Sequence, residues 1–273
     1  MHRSNHRVLC TIAGFDPTGG AGIGVDLAVF EAFGAVGKAV VTVETEQDEG
    51  GVRRLGARDP ALVAEELARV LVEDDPAALK IGALGTLGIV ETVAAVLAEA
   101  PPRPVVLDPV LEASSGGALL APDAIAHLHR LLGPHVTLLT PNVPEAARLI
   151  DLDRCGEAPE TELLASVLVA RGWSAALVKG GHATGATILD ALCMLRGVTT
   201  ALPHPRLDGP EVRGTGCALS AAIAGQLAAG VDLERAATTA TAWLHDLIAE
   251  AHAAGRRTLD PSAVPLPSRE PKE

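Results

Sequence analysis

The 273-residue chain is 48% hydrophobic and carries 34 acidic against 22 basic residues, a formal net charge of -12. That length and apolar content support a substantial globular core, and an acidic balance without a Lys/Arg-rich cluster argues against a nucleic-acid partner. Cys10, Cys155, Cys193 and Cys217 show neither paired metal spacing nor a secreted disulfide framework, and the apolar stretch behind "MHRSNHR" is broken by "GFDPTGG" too soon for a signal peptide or membrane span. A cytoplasmic protein is the expectation.

Aromatic residues are confined to Phe15, Phe30, Phe33, Trp173 and Trp243, so the core must be built from Val, Leu, Ile and Ala. Short branched apolar runs alternate with stretches of helical period, the pattern of a mostly parallel sheet covered by helices. "RVLCTIAG" predicts a first strand, followed by a glycine-rich turn and a helix marked by Ile23, Leu27 and Phe30. "KAVVTVET" predicts a second strand; Val63, Leu67, Val70 and Leu71 mark a helix ending at "EDDP". "ALKIGALG", "PVVLDPV" and "HVTLLTPN" predict three more strands, each leading into a loop and a helix. A helix over 160–171 precedes the strand "AALVKGG", and "TILDALCML" with the segment near "PRLDG" predicts an antiparallel edge. Two helices close the chain, the second bearing Trp243, Leu244, Leu247 and Ile248 on one face. With no linker or internal repeat, residues 1–260 are expected to form one domain and the proline-rich 261–273 a disordered tail.

Ligands of such sheets bind beyond the carboxyl ends of the strands. The rule gathers Asp16 to Gly22, Glu44 to Gln47, Gly82 to Gly85, Asp108, Pro109, Asn142 to Glu145, Lys179 to His182 and Gly214 to Cys217 onto one edge. "GFDPTGGAGIGVD" brings backbone near a ligand but matches neither a dinucleotide fingerprint nor a phosphate loop. Asp108 ends an apolar strand, and Asn142 and Glu145 follow another. They suit Mg²⁺, which takes one or two carboxylates, and equally suit a helix cap with a first-turn acid. Asp26 is either part of a pocket or a partner of the helix dipole. Lys179 either reaches a phosphate or snorkels from a strand end, and His182 is a turn residue. "GTGC" sets Cys217 at a helix start, where unpaired N–H groups receive anions and a thiolate is favoured, although cysteines often simply pack. An acid pair, a lysine and an anion-binding helix start are together the parts of phosphoryl transfer.

The ordered set "TIAGFDPTGGAGIGVDL", "KIGALGT", "VVLDPV", "LLTPNVPEA", "LVKGGH" and "RGTGCALSAAIA" resembles the hydroxymethylpyrimidine/phosphomethylpyrimidine kinase family of thiamine biosynthesis, within the ribokinase-like superfamily. The resemblance implies an α/β ribokinase-like three-layer sandwich with a mostly parallel central sheet flanked by helices. It implies an ATP- and Mg²⁺-dependent homodimeric enzyme that phosphorylates the hydroxymethyl group of 4-amino-5-hydroxymethyl-2-methylpyrimidine and often then the monophosphate. Carried over by motif, Gly14, Asp26, Gln47, Ala83 and Val110 form the pyrimidine pocket. Asp108 and Glu145 serve the metal, with Asn142, Lys179 and Thr215 on the nucleotide. Gly214, Thr215, Gly216 and Cys217 form the anion hole, in which Cys217 either takes the alcohol proton or shapes the hole. A pyridoxal kinase and a non-catalytic pyrimidine sensor are the rival expectations. Phe15, Ala83 and "TEQDE" depart from the family pattern, where a small hydroxyl residue, a methionine and "TAQNT" are usual. Phe15 is expected either to fill the methionine's space or to alter substrate choice. The acids Glu46, Asp48 and Glu49 are expected to oppose a substrate that is already phosphorylated.

Overall fold

A computed structural model describes residues 7–48, 51–113, 116–152, 160–181, 185–195 and 198–266, with the side chains of 45–48 and 51–55 outside that description. The first half runs β1 (Val8–Phe15), α1 (Gly22–Ala32), β2 (Val36–Asp48), β3 (Gly51–Ala57), α2 (Pro60–Glu73), β4 (Ala78–Ile81), α3 (Leu87–Glu99) and β5 (Val105–Leu107). It continues through α4 (Pro122–Leu132), β6 (Leu138–Leu139), α5 (Val143–Leu149), α6 (Thr161–Ala170) and β7 (Ala175–Val178). The chain then forms β8 (Thr187–Met194), β9 (Thr199–Pro205), α7 (Thr215–Ala228) and α8 (Leu233–Ala253).

The nine strands among the described residues join one sheet in the order β3-β2-β1-β4-β5-β6-β7-β8-β9. The run from β2 to β7 is parallel, while β3 on one side and β8 and β9 on the other are antiparallel. Parallel strands are buried on both faces, which explains why they read as continuous apolar runs. Successive side chains alternate between the faces. Cys10, Ile12, Leu79, Ile81 and Leu107 enter a core with α2, α3, α4 and α6. Leu9, Ala78, Val106, Leu138 and Leu177 enter a second core with α1, α7 and α8. The expected three-layer α/β architecture is thus the observed one.

Several expected boundaries move. The segment "GVRRLGA", expected as part of no strand, pairs antiparallel with the end of β2. Its polar, glycine-containing composition hides a strand whose order comes from pairing with a neighbour and not from apolar period. In "ALKIGALG" only the first four residues extend as β4, and the glycines after them form a loop at the sheet edge. The outermost strand is β9 at Thr199–Pro205, ahead of the "PRLDG" segment. The C-terminal segment, expected to be disordered, begins with a 3-10 turn at Pro261–Ala263 whose Pro261 is buried; residues 267–273 lie outside the described residues.

Phe30 is fully buried between α1 and the sheet, in the same core as Phe33, whose ring meets Trp243 edge-on at 5.4 Å. This core holds α1 and α7 on the face where the chemistry sits. Phe30→Ala should cost about 3–5 kcal/mol in urea-induced unfolding, the range for emptying an aromatic site that neighbours cannot refill. A loss below about 1 kcal/mol would mean that this core collapses readily around the void.

Candidate active site

The parallel strands β1, β4, β5, β6 and β7 end on one edge, where a cavity of about 470 Å³ opens. Gly14, Phe15 and Asp16 come from the end of β1, Ala83 from the loop after β4, and Asp108 and Val110 from beyond β5. Asn142 and Glu145 follow β6, Lys179 follows β7, and Gly214 to Cys217 open α7. Sequence reasoning therefore selected residues that the fold brings together. Two selections stand apart: Asp26 is completely buried and does not line the cavity, and the side chain of Gln47 lies outside the described residues, as do His182, Glu49 and the side chains of Glu46 and Asp48.

Asp108 is 2% exposed and receives hydrogen bonds from Lys179 Nζ at 2.9 Å and Thr140 Oγ1 at 3.4 Å. Burial pulls Lys179 toward its neutral form, but Asp108 and Glu145 outweigh it and raise its pKa, so the ammonium persists. Asn142 Oδ1 accepts from the Glu145 N–H and Glu145 Oε2 from the Asn142 N–H, both at 2.8 Å, a complete capping box on α5. The capping alternative is thus real, and it leaves Glu145 in the cavity wall. Burial, reinforced by Asp108 and opposed by Lys179, pushes the Glu145 carboxyl up to about 7.

The start of α7 depends on two glycines. Gly214 is its N-cap at φ 80, in the left-handed region, and a Cβ there would lie 2.6 Å from the carbonyl oxygen of Gly20. A Cβ on Gly216 would lie 3.1 Å from Lys179 Nζ and 3.4 Å from Asp108 Oδ2, so the first turn of α7 rests against that ion pair. Unpaired N–H groups and a half-buried ammonium thus converge on one spot, an arrangement suited to a phosphate. The loop before α7 is tied to the loop after β1 by Arg213, whose guanidinium donates to Asp16 Oδ2 and Thr18 Oγ1, each at 3.2 Å.

Of the two alternatives for Cys217, the environment favours the neutral thiol over the thiolate. Burial dominates and pushes the thiol up to about 11; Asp26 and Asp108 add to it, while Lys80 and the Gly22 N–H pull the other way. A helix start alone does not offset the loss of water around sulfur.

Sequence reasoning missed Lys80 as a site residue, although lysine occurs only four times in the chain. It is completely buried, lines the cavity and donates to Asp26 Oδ2 at 2.8 Å. This ion pair, and not the helix dipole, is what Asp26 serves. Its only trace in the sequence is a lysine inside an otherwise apolar strand.

Among the described residues no group of three or more His, Cys, Asp and Glu side chains forms a metal cage. The acids Asp108 and Glu145 fit a Mg²⁺ ion that arrives with phosphate oxygens and keeps waters among its ligands.

The family model for phosphomethylpyrimidine kinase matches residues 16–261. The chain belongs to that family. It is 40% identical over 241 residues to the hydroxymethylpyrimidine/phosphomethylpyrimidine kinase of Salmonella typhimurium, covering 88% of this chain and 90% of that protein. It is 38% identical over 252 residues to the thiamine biosynthesis multifunctional protein ThiED of Corynebacterium efficiens, covering 90% of this chain but only 33% of that longer protein. Among solved structures, an ADP complex of Bacillus subtilis pyridoxal kinase superposes with a TM-score of 0.79 at 27% identity, covering 90% of this chain and 92% of that one.

Membership of the family gives the α7 turn a job to test. Gly214→Ala should destabilise the protein by more than about 1 kcal/mol, because alanine is strained at positive φ, and should weaken ATP binding in calorimetry. Unchanged stability and affinity would remove the Gly214 conformation from the site.

Proposed function

We propose that this phosphomethylpyrimidine kinase family member transfers the γ-phosphoryl group of ATP to the hydroxymethyl oxygen of 4-amino-5-hydroxymethyl-2-methylpyrimidine. The observation that carries this reading is the convergence of the Lys179–Asp108 pair, Glu145 and the glycine-capped start of α7 on one cavity. Catalysis of phosphoryl transfer is largely positioning plus charge stabilisation, and these residues supply both.

In this mechanism the first-turn N–H groups of α7 receive the transferring group and hold it still. Lys179 stands against the same turn and exchanges part of its contact with Asp108 for phosphate oxygens. Asp108 and Glu145 would hold a Mg²⁺ ion, which would supply neutralisation of phosphate charge during the transfer. Asn142 holds Glu145 in its place through the capping box. Cys217 faces the cavity as a thiol and shapes the hole around the attacking oxygen. A loose transition state requires the alcohol proton to leave late, so a thiolate formed in advance is unnecessary.

The pyrimidine ring would lie against the apolar wall of Val43, Ala83, Val110 and Leu119, with Phe15 at its edge. Phe15 is 46% exposed, which supports a ring available to the substrate over one that merely fills core space. The nine-stranded single sheet supports one kinase domain, and no described helix is long and apolar enough to cross a membrane.

The test is Mg²⁺-dependent ATP turnover with the pyrimidine alcohol, its monophosphate and pyridoxal in parallel, with products identified by mass. Phosphorylation of the pyrimidine alcohol is expected, with the monophosphate slower because of the acids in 46–49. Turnover of pyridoxal alone would overturn the substrate assignment, and silence in all three lanes would overturn the kinase reading.

A further inference from the structure

The mechanism asks the Lys179 ammonium to turn from Asp108 toward a phosphate, so its backbone must keep it aimed. That backbone stands where β7 leaves the sheet. The antiparallel ladder of β7 with β8 ends at the pair Val178 and Ala191, and one step further along that register stand Lys179 and Asp190. There the two chains run so close that a Cβ on Gly180 would collide with the carbonyl oxygen of Leu189. With the ladder ended, the Gly180 N–H finds its acceptor on a side chain and donates to Asp190 Oδ1 at 2.7 Å. The N–H of Lys179 itself donates to the carbonyl oxygen of Pro141 at 2.9 Å, just beyond β6. The two amides that flank the Lys179 Cα are thus both fixed, one from each neighbouring strand.

Asp190 does not line the cavity and is only 5% exposed, so it acts from behind the site. It is packed from two further elements: His204 Nε2 of β9 lies 3.4 Å from Oδ2, and the His204 ring meets that of His245 on α8 edge-on at 5.8 Å. Tolerance at the other end of the lysine is small. A Cβ on Gly216 would lie 3.1 Å from Lys179 Nζ, so a shift at the root drives the ammonium into the first turn of α7 or away from it. We propose that Asp190 is a positioning residue that acts through the Gly180 N–H: it fixes the root of Lys179 and so aims the ammonium at the nucleotide phosphate. A carboxylate suits the task, because a charged acceptor makes a shorter and stronger bond to an amide than a neutral one does. The inference rests on the kinase reading and names a residue behind the same site; its test reads binding and needs no turnover.

The experiment measures calorimetric binding of AMP-PCP with Mg²⁺ to the full chain. Asp190→Ala should weaken binding about tenfold, the scale of one charge-assisted contact put out of line, and Asp190→Asn, which keeps a neutral oxygen for Gly180, about threefold. Both losses should vanish in a Lys179→Met background, because an effect carried by the ammonium cannot outlast its removal. A merely structural disturbance would weaken binding by the same factor with and without Lys179. Should Asp190→Ala fail to fold by circular dichroism, Asp190→Asn must still lose more affinity with Lys179 present than without it. Equal losses in the two backgrounds, or no loss in either, would overturn the proposal and leave the kinase reading intact. A wild-type chain that binds no AMP-PCP would overturn both.

Discussion

Burying charge at the end of a parallel sheet is the constraint on which the rest of this molecule depends. An ammonium without a partner in such a place is unstable by several kcal/mol, and breaking a buried pair costs about 3–5 kcal/mol. The chain answers with one carboxylate for each inward lysine, Asp26 for the buried Lys80 and Asp108 for the half-buried Lys179, at 2.8 and 2.9 Å. Neither pair is local in sequence, so each also fixes geometry. The first ties α1 to β4, and the second ties the end of β7 to the end of β5.

Those two ties explain why α7 starts where it does. Its glycines allow the first turn to settle against Lys179 and Asp108, and Arg213 fastens the preceding loop to Asp16 and Thr18. The result is a concentration of preorganised charge and dipoles around a small volume. Such preorganisation is what a phosphoryl-transfer site needs, since the protein then does not have to reorient as charge develops. It also explains the state of Cys217. Partial burial raises the thiol, and the surrounding charges adjust it.

How much of this was legible in the sequence follows from whether a feature is local. The parallel strands were visible because burial on both faces leaves continuous apolar runs such as "VVL" and "AALV". The capping box was visible because Asn142 and Glu145 sit at the required three-residue spacing. The site edge was visible because strand ends gather ligands in this class of sheet. By contrast, β3 was hidden because pairing and not composition makes it a strand. The Lys80–Asp26 pair was hidden because 54 residues separate its members and only the fold brings them together. For the same reason Asp26 was placed in the pocket when it in fact stands behind the lysine that lines it. The sequence left Cys217 open between a thiolate and a group that shapes the hole, because the helix start is written in the sequence and the surroundings of the sulfur are not.

The most direct test of this account is a crystal structure of the protein with AMP-PCP, Mg²⁺ and the pyrimidine alcohol bound together. The account predicts that the terminal phosphate rests on the N–H groups of Thr215 to Cys217 with Lys179 turned onto it, and that the hydroxymethyl oxygen lies between that phosphate and Cys217. Phosphates bound away from the α7 turn, or a ring seated outside the wall of Val43, Ala83 and Val110, would contradict it.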